Sequence, residues 1–330
     1  MQVAVLGAGS FGTTIASLMA GRNDVLLWAR DPEVANEVNR DHVNTRYLSG
    51  FTLSKKLRAT ADLEEAVRHA ETLVVAIPSK SFRQVVTDAH PYVHPWIPVV
   101  SLTKGLEQGG LLRMTQVIEE VLPGHPAAAL TGPNLAKEIM AGQAAASVIA
   151  TSDLGVAVAL QQVVKRGMFR VYVNHDVIGC EIGAALKNVI AIAAGIAQGL
   201  GVGDNTRAAV ISRGLAEITR LGVAMGGEPA TFAGLTGMGD LIATCMSPQS
   251  RNRYVGEQLG LGRKIEDILE EMTMVAEGVN TAVSMLELAD RHGVDVPICR
   301  EIYRVVQGEI TGLEAYRGLA MSAGHELDPG

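Results

Sequence analysis

Lys187 has the surroundings that most clearly suggest chemistry. It stands in the run EIGAALKNVIAI, residues 181–192, where nearly every neighbour is small and apolar. Burial on a helix disfavours the charged form of a lysine, which suits a proton donor to a carbonyl oxygen. Ketone reduction needs such a donor, because hydride addition generates an alkoxide. A lysine at a helix edge whose ammonium reaches water is the alternative that the spacing leaves open.

Two further residues stand where a ligand could be bound. Lys104 follows the apolar run 99–102 in the turn Thr103-Lys104-Gly105, and open α/β sheets bind ligands at the carboxyl ends of their strands. Asp240 follows closely spaced glycines in GLTGMGDL, residues 234–241. This pattern predicts a loop that brings a carboxylate into a cleft. An aspartate that caps a helix is the alternative.

A candidate phosphate site begins at Ser250. The run Ser250-Arg251-Asn252-Arg253 stands where a helical pattern starts. A serine, an arginine and the N–H groups of a helix start together suit a phosphate group.

The glycine-rich turn near the start of the chain predicts a dinucleotide site. Gly7-Ala8-Gly9-Ser10-Phe11-Gly12 lies between an apolar strand pattern and a helix pattern. Gly7 permits a tight turn, Gly9 lets a pyrophosphate approach the backbone, and Gly12 lets the helix pack close to the strand. The same spacing in a turn without a ligand is the alternative.

The end of the second strand pattern bears on the choice of cofactor. An acidic residue there favours the free ribose of NADH, whereas an arginine can accept the 2′-phosphate of NADPH. The strand ends in Trp28-Ala29-Arg30-Asp31, so Arg30 favours NADPH. Asp31 could still serve NADH, and Arg30 could be an ordinary surface charge.

The elements that must position these residues divide the chain in two. In the first half, short β-branched runs alternate with helical stretches, which predicts a mostly parallel sheet with helices on both faces. The predicted strands are residues 2–6, 25–28, 57–60, 73–77, 99–102, 127–131, 146–150 and 169–173, and the predicted helices include 61–70 and 79–89.

After about residue 176 the pattern becomes helical, with almost no strand. The predicted helices are residues 181–195, 205–225, 230–233, 250–259, 265–272, 280–291 and 298–306. We therefore predict an α/β protein with a dinucleotide-binding domain at 1–177 and an all-helical substrate domain at 178–330. A polar, loose tail is expected over 322–330.

Composition excludes several classes of function. The chain has 330 residues, a net charge of −7 and no basic block, which argues against a nucleic-acid partner. Its three cysteines, Cys180, Cys245 and Cys299, form no metal-like pair and suit a reducing cytoplasm, so no metal is expected. The apolar run 189–197 is too short for a membrane span, and the apolar N-terminus lacks the basic segment of a signal peptide.

Taken together, the motifs resemble the bacterial NAD(P)-dependent glycerol-3-phosphate dehydrogenases through essentially the whole chain. The resemblance is carried by GAGSFGTT at 7–14, TKGLE at 103–107, GPNLAKE at 132–138, ALKNVIA at 185–191, GMGD at 237–240, QSRNR at 249–253 and VAEG at 275–278. It implies a Rossmann-type N-terminal domain, an all-helical C-terminal domain, and an active site between them.

The resemblance also implies a reaction, the reduction of dihydroxyacetone phosphate to sn-glycerol 3-phosphate with NADPH or NADH, for phospholipid synthesis. Lys187 would donate the proton, Lys104 would support the substrate oxygen, and Asp240, with Thr244 beside it, would line the same site. The implied substrate contacts are Lys104, Gly132, Asn134, Lys187, Asp240, Ser250, Arg251 and Asn252. The implied cofactor contacts are Gly7, Gly9, Ser10, Phe11, Gly12, Arg30, Tyr47, Lys104, Ala136, Arg251, Val275 and Glu277.

One residue departs from the family pattern. Asn134 stands where the family usually has serine or threonine, so its substrate contact is open. The alternatives to this function are another Rossmann-plus-helical reductase of ketones or 2-keto acids, and a non-catalytic NADPH-binding sensor. The sensor would need neither proton donor nor phosphate site. The alanine-, glycine- and leucine-rich second half would permit a homodimer.

Overall fold

The computed structural model describes residues 1–272 and 276–321, with the side chains of 320 and 321 left out. The chain divides into two compact units. Unit 1 contains residues 1–107 and 112–177, and unit 2 contains residues 108–111 and 178–330. The tail predicted to be loose, 322–330, lies outside the described residues.

Unit 1 is built on an eight-stranded sheet in the order β3-β2-β1-β4-β5-β6-β7-β8. Its strands are parallel except for the antiparallel pair β6 and β7. The bounds are β1 Gln2–Leu6, β2 Asp24–Trp28, β3 Arg58–Thr60, β4 Thr72–Val75, β5 Val99–Ser101, β6 Ala127–Thr131, β7 Ala145–Ala150 and β8 Phe169–Asn174.

Helices cover both faces of this sheet. Along β1, Val3 and Val5 belong to one buried apolar cluster, whereas Ala4 and Leu6 belong to another. Successive strand residues point to opposite faces, so each face has its own core. The helices are α1 Ser10–Met19, α2 Pro32–Asp41, α3 Thr45–Leu48, α4 Leu63–Arg68, α5 Ser79–Ala89, α6 Met114–Val121, α7 Ala136–Met140 and α8 Leu154–Val164.

The strand order places the candidate residues of unit 1 at one edge. β1 lies between β2 and β4, so the direction of the strand order reverses at β1. Because β1, β5 and β6 are all parallel, their carboxyl ends share an edge of the sheet. The glycine turn, Lys104 and Gly132 follow those three ends, which is where open α/β sheets bind ligands.

Unit 2 is helical over its described residues. Its helices are α9 Val177–Gly199, α10 Asp204–Ala224, α11 Pro229–Phe232, α12 Asp240–Met246, α13 Arg251–Gly260, α14 Ile265–Glu271, α15 Glu277–His292, α16 Pro297–Val306 and α17 Gly312–Met321. Helix α9 is long and apolar enough to cross a membrane by length and composition, yet 89% of its apolar window is buried inside the protein. That burial is typical of a central core helix.

Two of the secondary-structure expectations were wrong or incomplete. The loop predicted ahead of Asp240 is instead a π-helical turn, Leu235–Gly239, that leads directly into α12. Glycine spacing suggested a loop, but tertiary packing overrides weak helix propensity. The sequence analysis also predicted no range for the helices α2, α3, α6, α7, α8, α12 and α17.

Candidate active site

The glycine turn has the shape that a pyrophosphate requires. Gly7 has φ +115°, and a Cβ there would lie 2.5 Å from Ala76 O. A Cβ on Gly12 would collide with Gly7 O, which shows how closely α1 packs against the strand. By contrast, apart from Gly9 itself and its two chain neighbours, no heavy atom of the described residues lies within 4 Å of a Cβ placed on Gly9. Gly9 is also the N-cap of α1, with no side-chain cap. The turn therefore fits the pyrophosphate of a dinucleotide against an open helix N-terminus.

A short segment around Tyr47 is fastened to this turn. Buried Asn44 donates from Nδ2 to Ala8 O at 2.9 Å and to Thr13 Oγ1 at 2.8 Å. Its Oδ1 accepts from Tyr47 N at 3.2 Å, and Ser10 Oγ donates to Tyr47 O. Ser10 and Tyr47, both predicted cofactor contacts, are thus brought together. Sequence reasoning missed Asn44, whose only signal was a polar residue just before a helical turn.

Other predicted cofactor contacts of unit 1 lie at the same sheet edge or near it. Phe11, in the first turn of α1, is half-buried and packs against the apolar cluster on one sheet face. Arg30 is exposed just beyond β2. Ala136 is the half-buried first residue of α7.

Lys104 is held by two oxygens that follow β6. Its Nζ donates to Gly132 O at 2.9 Å and to Asn134 Oδ1 at 2.7 Å. The Asn134 amide lies 3.4 Å from Oγ of Ser147, a fully buried residue of β7. Gly132 has φ +118°, which a residue with a Cβ rarely adopts. Asn134 thus acts on Lys104, and the sequence had given no sign of this contact.

In unit 2, Lys187 forms a buried ion pair with Asp240. Nζ and Oδ1 are 3.0 Å apart, and the side chains are only 4% and 3% exposed. Lys187 also donates to Thr244 Oγ1, and that hydroxyl donates to Asp240 O at 2.6 Å. The water-reaching alternative for Lys187 is therefore wrong. Burial is compensated by a carboxylate that α12 presents to the middle of α9.

The thiol beside this pair is not a nucleophile. Burial raises the pKa of Cys245 to about 12, a shift that Lys187 opposes and Asp240 supports. The thiol therefore stays protonated at neutral pH.

The candidate phosphate site surrounds the start of α13. Ser250 is the N-cap, and its Oγ accepts from Arg253 N at 3.2 Å. Such a hydroxyl can still donate its own hydrogen to a ligand. Asn252 is buried: its Nδ2 donates to Asn188 Oδ1 at 3.0 Å, and its Oδ1 accepts from Gly278 N at 2.9 Å. Asn188, directly after Lys187, is a further residue that sequence reasoning missed.

Arg251 and Glu277 lie near one another. Arg251 reaches solvent, yet the surrounding protein lowers the pKa of its guanidinium, and the Glu277 carboxylate opposes that shift. Arginine remains charged under these conditions. Glu277 is the first residue of α15. The last predicted cofactor contact, Val275, lies outside the described residues.

Comparison with known proteins identifies the family. The family model described as NAD-dependent glycerol-3-phosphate dehydrogenase N-terminus matches residues 2–157, and the C-terminus model matches residues 176–317.

Whole-chain relatives agree with these family models. The chain is 57% identical to the glycerol-3-phosphate dehydrogenase [NAD(P)+] 2 of Sphingopyxis alaskensis, over 100% of this chain and 99% of that protein. It is 52% identical to the glycerol-3-phosphate dehydrogenase [NAD(P)+] of Mycobacterium avium, over 99% and 96%. The crystal structure of glycerol-3-phosphate dehydrogenase from Coxiella burnetii superimposes with a TM-score of 0.93 at 33% identity, covering 97% of this chain and 98% of that one. The chain therefore belongs to the NAD-dependent glycerol-3-phosphate dehydrogenase family, with its Rossmann-type first half and helical second half.

Proposed function

We propose that the protein interconverts dihydroxyacetone phosphate and sn-glycerol 3-phosphate with NAD(P)H. The observation that carries the proposal is the buried Lys187–Asp240 pair, in a chain of this family. Removing a lysine and its counter-charge from water costs free energy, so a buried pair such as this one is poorly explained by stability. Buried ionisable groups of this kind are characteristic of functional sites. Lys187 supplies the proton that a reduced carbonyl oxygen requires.

Lys187, Asp240, Lys104 and Thr244 have different roles in the reaction. When bound, the nicotinamide supplies the hydride to the carbonyl carbon. Lys187 delivers one proton to the oxygen, and the nearby Asp240 carboxylate, 3.0 Å from Nζ, favours the return of a proton to the amine after turnover. Lys104, held by Gly132 O and Asn134, adds positive charge that stabilises a developing alkoxide. Thr244 orients the Lys187 ammonium.

The remaining predicted residues bind the two ends of the reactants. We assign the substrate phosphate to Ser250, Arg251 and Asn252, because a helix start with an arginine suits a phosphate dianion. Gly132 and Asn134, which both accept hydrogen bonds from Lys104, would also face the substrate. The cofactor would be held by Gly7, Gly9, Ser10, Phe11, Gly12, Arg30, Tyr47, Lys104, Ala136, Arg251, Val275 and Glu277.

The setting of the reaction is part of the proposal. Arg30 beyond β2 supports a preference for NADPH over NADH. The product would supply phospholipid synthesis in the cytoplasm, since glycerol 3-phosphate is a soluble lipid precursor. A homodimer is the proposed assembly, on the composition of the helical half alone.

The test measures the oxidation of NADPH or NADH from the fall in absorbance of the reduced cofactor, with each of three substrates. Dihydroxyacetone phosphate should turn over rapidly. Unphosphorylated dihydroxyacetone should turn over far more slowly, because it cannot use the phosphate site. A 2-keto acid such as ketopantoate serves as the third substrate. Turnover of the keto acid alone, or bound NADPH with no turnover of any substrate, would contradict the proposed reaction.

A further inference from the structure

A salt bridge stands at the end of β2, beside the exposed Arg30. Arg46 Nη1 lies 2.8 Å from Asp31 Oδ2, and both side chains are partly open to water, at 60% and 38% exposure. Arg46 lies 15 positions further along the chain than its partner, in the short helix α3. It is not among the residues assigned to the cofactor above.

Asp31 has both carboxylate oxygens engaged. Oδ2 accepts from Arg46, while Oδ1 caps α2 by accepting from Glu33 N at 3.0 Å. An aspartate at this place recognises NADH by accepting hydrogen bonds from the ribose hydroxyls. Here a ribose would have to compete with a guanidinium for the same carboxylate. The pair therefore weakens the one feature of the sequence that favoured NADH.

Arg46 is placed by residues bound to the glycine turn. Its neighbour Tyr47 is fastened to that turn through Asn44 and Ser10. The Arg46 guanidinium also lies over the Tyr47 ring, 5.4 Å from the ring centre. Cation–π contacts of this kind help to fix a long side chain. The arginine is thus held close to the dinucleotide turn, on the side of Asp31.

We infer that Arg46 is a second specificity-determining cation, which acts with Arg30 on the 2′-phosphate of NADPH and holds Asp31 away from the ribose of NADH. The inference rests on the proposed function, which supplies its ligand, NADPH. It adds one residue, Arg46, and a physical reason for the preference for NADPH over NADH. Arg46 would exchange its carboxylate partner for a phosphate when NADPH binds.

The exchange is favourable on physical grounds. Exposed salt bridges contribute little stability, so Arg46 is easily drawn away from Asp31. Arginine binds a phosphate dianion through paired, charge-assisted hydrogen bonds, which are stronger than an exposed ion pair. NADH offers no such partner, so binding of NADH leaves Arg46 on Asp31 or must disrupt the pair without compensation.

The test measures binding of nucleotide fragments by calorimetry, without substrate or turnover. The probes are adenosine 2′,5′-bisphosphate and 5′-AMP, which differ only in the 2′-phosphate. For Arg46→Gln we expect about a tenfold rise in Kd for the bisphosphate, from the loss of one charge-assisted contact. The Kd for 5′-AMP should fall, because the released Asp31 carboxylate can then accept hydrogen bonds from the ribose hydroxyls. For Asp31→Asn, which retains an N-cap oxygen, we expect tighter binding of the bisphosphate.

Arg40→Gln is the matched control, because Arg40 is also an exposed arginine paired with an aspartate, Asp41, 2.6 Å away on α2. It removes the same charge at another place and should leave both Kd values unchanged. The inference would be overturned if Arg46→Gln weakened the binding of both probes equally or left both Kd values unchanged. It would also be overturned if Arg40→Gln changed the Kd values in the same way. The parent protein could bind the bisphosphate more tightly than 5′-AMP and still reduce no ketone phosphate. That result would contradict the proposed function, but this inference would remain valid.

Discussion

Lys187 shows how one residue depends on a partner distant in sequence. The middle of an apolar helix cannot hold an isolated ammonium, since the cost of removing a single charge from water is several kcal/mol. Asp240, 3% exposed and 3.0 Å away, supplies the compensating charge. The pair is therefore needed for the fold and available for chemistry.

Breaking the pair on one side should be more damaging than removing it. Asp240→Asn leaves Lys187 buried without a counter-charge and should cost about 3–5 kcal/mol of unfolding free energy. Lys187→Met should lower kcat by about 10²–10⁴-fold, the usual contribution of a general acid. Urea unfolding and steady-state kinetics measure the two effects.

The double variant Lys187→Met/Asp240→Leu separates structure from catalysis. It should recover most of the stability lost in Asp240→Asn, because no unpaired charge remains, while activity stays low. A fully active Lys187→Met protein would remove Lys187 from the proposed mechanism.

Asn134, the departure from the family pattern, should matter through Lys104. Asn134→Ala removes the Oδ1 acceptor that lies 2.7 Å from Lys104 Nζ and should lower kcat/KM for dihydroxyacetone phosphate about tenfold. Asn134→Ser restores an acceptor and should recover part of the loss. Asn36→Ala, which removes an exposed amide on α2, is the control. An unchanged kcat/KM in Asn134→Ala would show that Lys104 needs no such support.

At the scale of elements, the crossing of α9 and α13 depends on glycine. A Cβ on Gly256 would collide with Ile192 O and lie 2.8 Å from Ile192 C, and a Cβ on Gly195 would collide with Arg253 O. Gly199 and Gly260 continue the same contact. The two backbones therefore approach more closely than any larger residue permits.

Gly256→Ala should consequently destabilise the protein by about 1–3 kcal/mol, the usual cost of overpacking. The same change at Gly318, an exposed position inside α17, should stabilise by about 0.5–1 kcal/mol. Among the described residues outside its own helix backbone, a Cβ there would meet only Glu301 Oε2, at 3.7 Å. Thermal or urea unfolding of both variants gives the comparison. If both variants changed stability in the same direction, helix propensity, and not the close crossing of α9 and α13, would decide the effect of the substitution.

Glu217 of α10 acts as the cap of another helix. Its carboxylate accepts from Ile298 N at 2.8 Å and from Cys299 N at 3.2 Å, at the start of α16. Burial raises the pKa of Glu217 above its ordinary 4.5, although these two N–H groups and nearby Arg220 oppose the shift. The start of α16 thus takes its cap from a distant helix.

The raised pKa of Glu217 predicts a pH dependence of stability. Above pH 4.5 the unfolded chain loses this proton first, so the contribution of Glu217 to unfolding free energy falls as the pH rises through the folded value. Glu217→Gln cannot titrate, so the parent should lose stability relative to the variant over that range. Unfolding measured at several pH values tests this, and a difference that grows in favour of the parent would contradict it.

At the scale of the whole molecule, the two ligands should protect different segments of the chain most strongly. NADPH at a concentration of 100 Kd should stabilise the protein by about 2.7 kcal/mol. Its hydrogen-exchange protection should concentrate at residues 7–14 and 44–47. Glycerol 3-phosphate should instead protect residues 250–253, and α17 serves as the internal reference. Uniform protection by either ligand would contradict these assignments.

The sequence by itself determined the features that local geometry governs. The glycine turn was predictable, because Gly7 needs positive φ and Gly12 needs close packing whatever surrounds them. All eight strand patterns match their observed strands to within one or two residues at each end, since burial of a sheet on both faces requires continuous apolar runs. Lys187 stood out because a charge in an apolar helix is rare.

Only the tertiary structure decided which of these residues meet. Asn252 bonds Asn188 from 64 positions away, and Lys187 bonds Thr244 from 57 positions away. Arg46 pairs with Asp31, and Asn134 holds Lys104, through contacts that no spacing in the chain predicts. The physical reason is that backbone conformation and hydrophobic period are local properties. The pairing of distant polar groups is set by how helices and strands pack, and each buried group must then find its partner there.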